Sequence, residues 1–352
     1  ELEIELVSGS PLALVDVAGR LIGKHGLWLD IRSKAERGDR LARGIVEVPA
    51  IKSGDVALSE KVSVQEARAA VLASCLQQVL ANASEIAAGL GGPEHVHQLR
   101  VGLRRLRSAQ RLFAGGSHDS HGDESGGQGA AAQPKAGASA AELFRSLGAA
   151  RDRDVLVATL VPALQAAHAP TLELPPAAQA VDPAALLRGR EANLALLELL
   201  SLSLEAAEPP GPAADPAAQA LPPPLLRPLA AQQLKRWHRS IARDAARFTE
   251  LDDAARHRLR KRLKRLRYSV EFVASLFKRK RVAAYLGCLR PAQDALGFYN
   301  DLAIGEAAYR ALLEQDAHAW FALGWIAARR AELLGEAQLS LDALARAERF
   351  WK

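Results

Sequence analysis

HQLRVGLRRLRSAQRLF, residues His97 to Phe113, is the stretch from which the whole chain can be read. On an α-helix, at about 100° per residue, His97, Arg100, Arg104, Arg107 and Arg111 fall on one stripe. Val96, Leu99, Leu103, Leu106 and Phe113 form a second stripe centred about 115° away. Such a helix packs one face into a core and carries a line of guanidinium groups and one imidazole beside it. The pattern returns as HRLRKRLKRLRYSVEFV, His257 to Val273. A shift of 160 positions brings His97 onto His257, Arg100 onto Arg260, Arg104 onto Lys264 and Arg107 onto Arg267. Leu99, Leu103 and Leu106 meet Leu259, Leu263 and Leu266 in the same register, so both stripes repeat.

The composition favours helix over sheet: Ala and Leu dominate a hydrophobic fraction of 49%, and aromatics make up 5%. A length of 352 residues suits two domains or one internally duplicated one. No apolar run reaches the ~20 residues of a membrane span and no signal peptide opens the sequence, so a cytoplasmic protein is expected. Glu1, not Met, stands first, as in a fragment of a longer chain. Cys75 and Cys288 lie in apolar helical contexts and read as buried free thiols of a reducing compartment. The net charge of +6 is moderate, but eight of the twelve residues from Arg256 to Arg267 are Lys or Arg, which points to a polyanionic partner.

Residues 1–56 read as a small α+β piece. ELEIELVSG alternates as a half-wet strand, a helix follows from Pro11 to Gly23, and LWLDIRSKAERG is a second alternating strand. Helical sequence starts at the capping box Ser63/Glu66 and runs to about Ala88, and Gly91-Gly92-Pro93 starts the next helix. The Gly-rich segment 115–139 reads as a surface loop; its His118, His121, Asp119, Asp123 and Glu124 are a weak metal pattern, and no metal is expected. A second box, Ser139/Glu142, opens a helix in which Arg151, Asp152, Arg153 and Asp154 alternate in sign, fit to orient a neighbouring Arg. Pro and Ala dominate 170–183 and 208–224, with a helix near Ala185 to Ala206 between them. The first half thus covers about 60–206, a Pro-rich connector 207–224 and the second half 225–352. That half has a helix from Pro228 to Phe248 bearing Lys235 and Arg239, an N-cap within Thr249 to Asp253, and then the His257 helix. LGFYNDLAI later matches LGAARDRDV at an offset of 149, placing Asp301 on Asp152. Trp320, Trp325 and Phe350 read as core and end-packing residues.

Two copies of one unit are expected to pack about a pseudo-twofold axis with the basic helices face to face along a shared groove or channel. Facing cations repel by about 2 kcal/mol per pair at ~8 Å and an effective dielectric near 20, before salt screening. No acid stands between Arg256 and Tyr268, whereas exposed helices usually alternate signs. The pattern therefore suits a site that waits for a linear polyanion.

VHQLRVGLRRLRSAQRLF, LGAARDRDVL, HRLRKRLKRLRYSVEF and QDALGFYND resemble the CHAD domain, the conserved-histidine α-helical domain, over about residues 60–352. The resemblance implies a mainly all-α fold of two four-helix bundles around a basic cavity, and binding of inorganic polyphosphate without catalysis, with association to polyphosphate granules. It implicates His97, Arg100, Arg104, Arg107 and Arg111, with His257, Arg260, Lys264, Arg267 and Tyr268; Arg105 and Lys261 on the same helices, and Lys235 and Arg239 on the helix preceding His257, are further cations expected to join them. Arg151, Asp152, Asp154 and Asp301 are the expected supports. Glu271 stands opposite Arg111, which shortens the second stripe. The strand-like pieces at Glu1, Glu3, Glu5 and Ser33-Lys34 resemble the end of a CYTH domain, a triphosphate tunnel fold that often precedes CHAD domains.

Arg offers a planar fork to two phosphate oxygens and Lys a mobile point charge. Successive stripe residues rise by about 5 Å, comparable to the repeat of an extended phosphate chain. Few aromatics sit on these helices beyond Phe113, Tyr268 and Phe272, which argues against single-stranded nucleic acid held by stacking. A metal-dependent phosphohydrolase would need converging carboxylates, for which only Glu1, Glu3 and Glu5 offer themselves. No cofactor is expected.

Overall fold

The computed structural model describes residues 1–114, 135–148, 156–171, 182–208 and 223–352, of which 135–139 by backbone only. The described helices, in chain order, are α1 (Pro11–His25), α2 (Lys34–Ala42), α3 (Val64–Ala87), α4 (Pro93–Phe113), α5 (Lys135–Ser146), α6 (Val161–Ala166), α7 (Pro183–Arg188), α8 (Arg190–Ala207), α9 (Leu226–Ala245), α10 (Asp253–Phe272), α11 (Arg279–Arg310) and α12 (Ala319–Arg346). A π-helical turn, Leu156–Leu160, precedes α6, and short 3-10 turns flank α10. The fold is mainly all-α: among the described residues the one β-type pairing is an isolated bridge between Ser63 and Leu225.

The chain forms two compact units, one of Glu1–Gly148 with Val181–Leu226 and the other of Ala149–Ala180 with Arg227–Lys352. In the first, α3 packs along α4 and α8. Ser63 caps α3 as its sequence requires: its hydroxyl accepts from the Glu66 amide at 3.2 Å, and Glu66 accepts from the Ser63 amide at 3.0 Å. Leu99, Leu103 and Leu106 of α4 are buried against α3, whose Val71, Val79 and Cys75 are fully covered. Gly102 lets the two helices approach, because a Cβ there would stand 2.8 Å from Val79 Cγ2. Burial pushes the Cys75 thiol up to about 12, as befits an inert core group, whereas Cys288 is only half-buried.

The two expected N-terminal strands do not form. Residues 1–9 and 26–33 carry no ladder, and Leu2, Ile4 and Leu6 are exposed. Alternation points to strands, but a strand needs a partner edge, and among the described residues no second strand supplies one. Side chains of the helices instead satisfy parts of the extended backbone at 26–33 and around Ile51. Asn193 Oδ1 accepts from the Leu29 amide at 2.7 Å, Ser84 Oγ from that of Ile31 at 3.1 Å and Asn82 Oδ1 from that of Ile51 at 3.1 Å. Buried Glu85 pairs with Arg32 at 3.4 Å and Arg40 at 2.6 Å. Glu3 pairs with Lys34 at 3.1 Å and Glu1 with Arg37, so these carboxylates are matched by cations of α2. The helix expected from Pro11 does form, as α1.

In the second unit, α11 packs along α12 and α10. Leu156, Leu160 and Leu164, placed with the first half by sequence order, belong to this unit's core with Tyr299, Leu302, Tyr309 and Ile326. Gly305 makes room for them, since a Cβ there would fall 2.2 Å from Leu160 Cδ2. Three smaller expectations shift. Ser139 lies inside α5, which starts at Lys135; Gly189 breaks the helix expected across Ala185 to Ala206; and Trp320 is 66% exposed while Phe350 is buried. No described helix is long and apolar enough to cross a membrane.

Candidate functional site: a basic stripe on each of two helices

α4 starts with Pro93 in its first turn, where the missing amide hydrogen costs nothing, and His95 Nδ1 accepts from the Gly92 amide at 3.2 Å. The burial of Leu99, Leu103 and Leu106 fixes the roll of the helix and so decides which flank carries the cations. His97, Arg104 and Arg107 are half-buried and Arg111 is exposed. Arg100 is only 9% exposed; its guanidinium lies 4.3 Å from the Phe144 ring centre and donates to the Phe144 carbonyl at 3.3 Å. Arg104 lies 5.7 Å from the same ring. α5 therefore braces the stripe and holds the two guanidiniums. Arg105 is placed elsewhere: it is 2% exposed and donates to Gln78 Oε1 at 3.1 Å, within the α3–α4 interface. One step along a helix is about 100°, enough to carry Arg105 off the flank that Arg104 occupies.

Asp252 caps α10, accepting from the Ala255 amide at 2.6 Å, and Leu259, Leu263 and Leu266 are fully buried, as the repeat requires. His257, Arg260, Lys264 and Arg267 are half-buried and Lys261 is exposed. α11 supports this flank. Asn300 Oδ1 lies 2.5 Å from His257 Nδ1 and Asp301 Oδ1 lies 3.7 Å from Arg260 Nη2, while within α10 itself Glu271 accepts from Arg267 at 3.3 Å. Burial holds the His257 imidazole below the usual histidine range; Lys261, Arg260 and Lys264 push the same way, and the Asn300 bond opposes them. With Nδ1 committed to Asn300, Nε2 is the nitrogen left to meet an anion once protonated. Tyr268 is 3% exposed, under the Arg267 guanidinium at 4.8 Å, so it supports that arginine from below. Asn300 went unread in the sequence, although it adjoins Asp301 in the repeated LGFYND segment.

Lys235 and Arg239 do not join this stripe. The face of α9 toward α10 is marked by Trp237, 4.8 Å beneath the Arg265 guanidinium, by Ser240, 3.0 Å from Arg262 Nη1, and by Asp244, paired with Arg262. Helical geometry puts Lys235 and Arg239 about 150° around α9 from that face. Arg262 and Arg265 themselves lie about 130° around α10 from its stripe, which turns toward α11 instead. Arg151, Asp152 and Asp154 lie outside the described residues, as do His118 and His121. No group of three or more His, Cys, Asp or Glu side chains able to hold a metal occurs among the described residues.

A family model for the CHAD domain matches residues 70–310. Among solved structures, the crystal structure of the CHAD domain from the plant Ricinus communis is similar, with a TM-score of 0.65 and 29% identity over 86% of this chain and 99% of that one. No curated protein matches. The span matched by the family model takes in α4, α10 and α11, and with them both histidine-led stripes and the side chains of α11 that brace the second: this chain belongs to the CHAD domain family.

Proposed function

We propose that the chain is a non-catalytic binding module for inorganic polyphosphate, with His97, Arg100, Arg104, Arg107 and Arg111 on α4 and His257, Arg260, Lys261, Lys264 and Arg267 on α10 as its phosphate-binding residues. The observation that carries this reading is the in-register repeat of a histidine-led cationic stripe on two helices, each rolled to one orientation by three buried leucines. Membership of the CHAD family, which is associated with polyphosphate binding, supports it. Guanidiniums and ammoniums spaced at about 5 Å along a helix can each meet phosphate oxygens of an extended chain, and their charge is released from counterions on binding. Tyr268 and Phe272 are buried, which leaves the α10 stripe without an exposed ring on which a base could stack.

The test is binding of long-chain polyphosphate, DNA and RNA at one salt concentration. Polyphosphate should bind at least tenfold tighter than either nucleic acid, and affinity should fall steeply with salt. Arg104→Glu with Lys264→Glu should nearly abolish binding with helicity unchanged. Equal affinity for the three polymers, or an unaffected double variant, refutes the reading. Phosphate release from polyphosphate with added Mg²⁺ would refute its non-catalytic part.

A further inference from the structure

The second unit holds a cavity of about 530 Å³ whose wall includes Gln232, Lys235 and Arg239 of α9 and Arg349, Trp351 and Lys352 of the C-terminal segment. Four of these six side chains are cations, and no carboxylate side chain lines the cavity. Elsewhere in the unit acids are matched to arginines: Asp244 to Arg262, Glu271 to Arg267, Asp253 to Arg330 and Asp301 to Arg260. Lys235, Arg239, Arg349 and Lys352 form no ion pair among the described residues. Trp351 is 6% exposed and its indole Nε1 has no hydrogen-bond partner there, although a buried indole N–H normally finds one. Its ring is packed edge-on against Tyr285 at 4.9 Å and Phe350 at 4.8 Å. The wall therefore offers charge and donors but no open aromatic face.

The geometry points to a second anion site in this cavity, separate from the α10 stripe, which takes a compact, multiply charged inorganic phosphoanion such as pyrophosphate or triphosphate. Convergence of four like charges on one concavity raises the local potential and favours a ligand that carries several negative charges in a small volume. Lys235 and Arg239, one helical turn apart, grip one side of such a ligand; Arg349 and Lys352 close the other. The covered ring of Trp351 leaves nothing for a base to stack upon, which favours an inorganic anion over a nucleotide. The site lies on the flank of α9 turned away from α10, so a ligand here does not occupy the stripe proposed for the long chain.

The two sites are separated by titrating the full chain with inorganic triphosphate and with ATP in an Arg104→Gln, Lys264→Gln background, which weakens the stripes. Triphosphate should still bind there at one per chain, and adding Lys235→Gln with Arg349→Gln should weaken it at least tenfold. Those two changes in the otherwise unaltered chain should leave long-chain polyphosphate affinity within about threefold, half a decade in binding constant. Loss of triphosphate binding in the stripe background, or binding there that ignores the pocket changes, overturns the site. ATP binding tighter than triphosphate through the same residues overturns its inorganic assignment. Failure of the stripe reading would show separately, as long-chain affinity that survives the stripe changes.

Discussion

Replacing Asn300 by Asp puts a carboxylate where an amide oxygen now stands 2.5 Å from His257 Nδ1. The side chain keeps its shape, so the helix contacts are retained and the change is electrostatic. A unit charge at ~4 Å and an effective dielectric near 20 is worth at most about 4 kcal/mol. Opposite charges at such range raise an imidazole pKa by about 1 to 3 units. His257 starts below the ordinary histidine value because it is buried among Lys261, Arg260 and Lys264, and the new carboxylate lifts it back through that value. Histidine ring-proton NMR across the acid-to-neutral range reads the midpoint directly, with His257→Gln to assign the signal. Polyphosphate titrations over the same range give the functional arm. In the unaltered chain a bound phosphate favours the protonated ring, so the complex holds more protons than the free protein and affinity rises as pH falls. In Asn300→Asp the ring is already charged at the upper end, and the His257 part of that dependence moves to higher pH. A midpoint that does not move upward would refute the contact and the role built on it.

Gly102→Ala should lower stability by about 1 kcal/mol in chemical denaturation, because Val79 is stiff and 2.8 Å away, so overpacking outweighs the helix-propensity gain. Gly297→Ala, with nothing within 4 Å of the new methyl, should raise stability by about 0.5 to 1 kcal/mol. Asn82→Ala strips partners from both the Ile51 amide and its carbonyl and should cost about 1 to 3 kcal/mol, with amide exchange faster at Ile51. His238 and His257 are both held below the ordinary histidine range, chiefly by burial. The unfolded chain therefore binds more protons than the folded one as pH drops through about 6.5, and the melting temperature should fall over that window; His238→Gln should flatten the decline.

Much of this molecule is written in local pattern. The repeat of His97–Arg107 onto His257–Arg267, with three leucines in step, shows the class of fold, the duplication of the key helix and the flank that bears the charge. These follow because a helix has one period, and a buried leucine row sets the direction of every other side chain on it. The Ser63/Glu66 box and Pro93 mark helix starts for the same reason: a cap acts within one turn. Tertiary structure decided the rest. Alternation in ELEIELVSG looked like a strand, but pairing depends on a distant edge, and Asn193, Ser84 and Asn82 act on the neighbouring extended segments instead. Arg105 is one residue from Arg104 and yet lies inside with Gln78, while Lys235 and Arg239, matching the stripe in charge, turn to a cavity shared with Arg349 and Lys352. Asn300 reaches His257 across 43 residues. Charge and periodicity are properties of a segment; which cation meets which acid, amide or empty space is a property of the helix packed beside it.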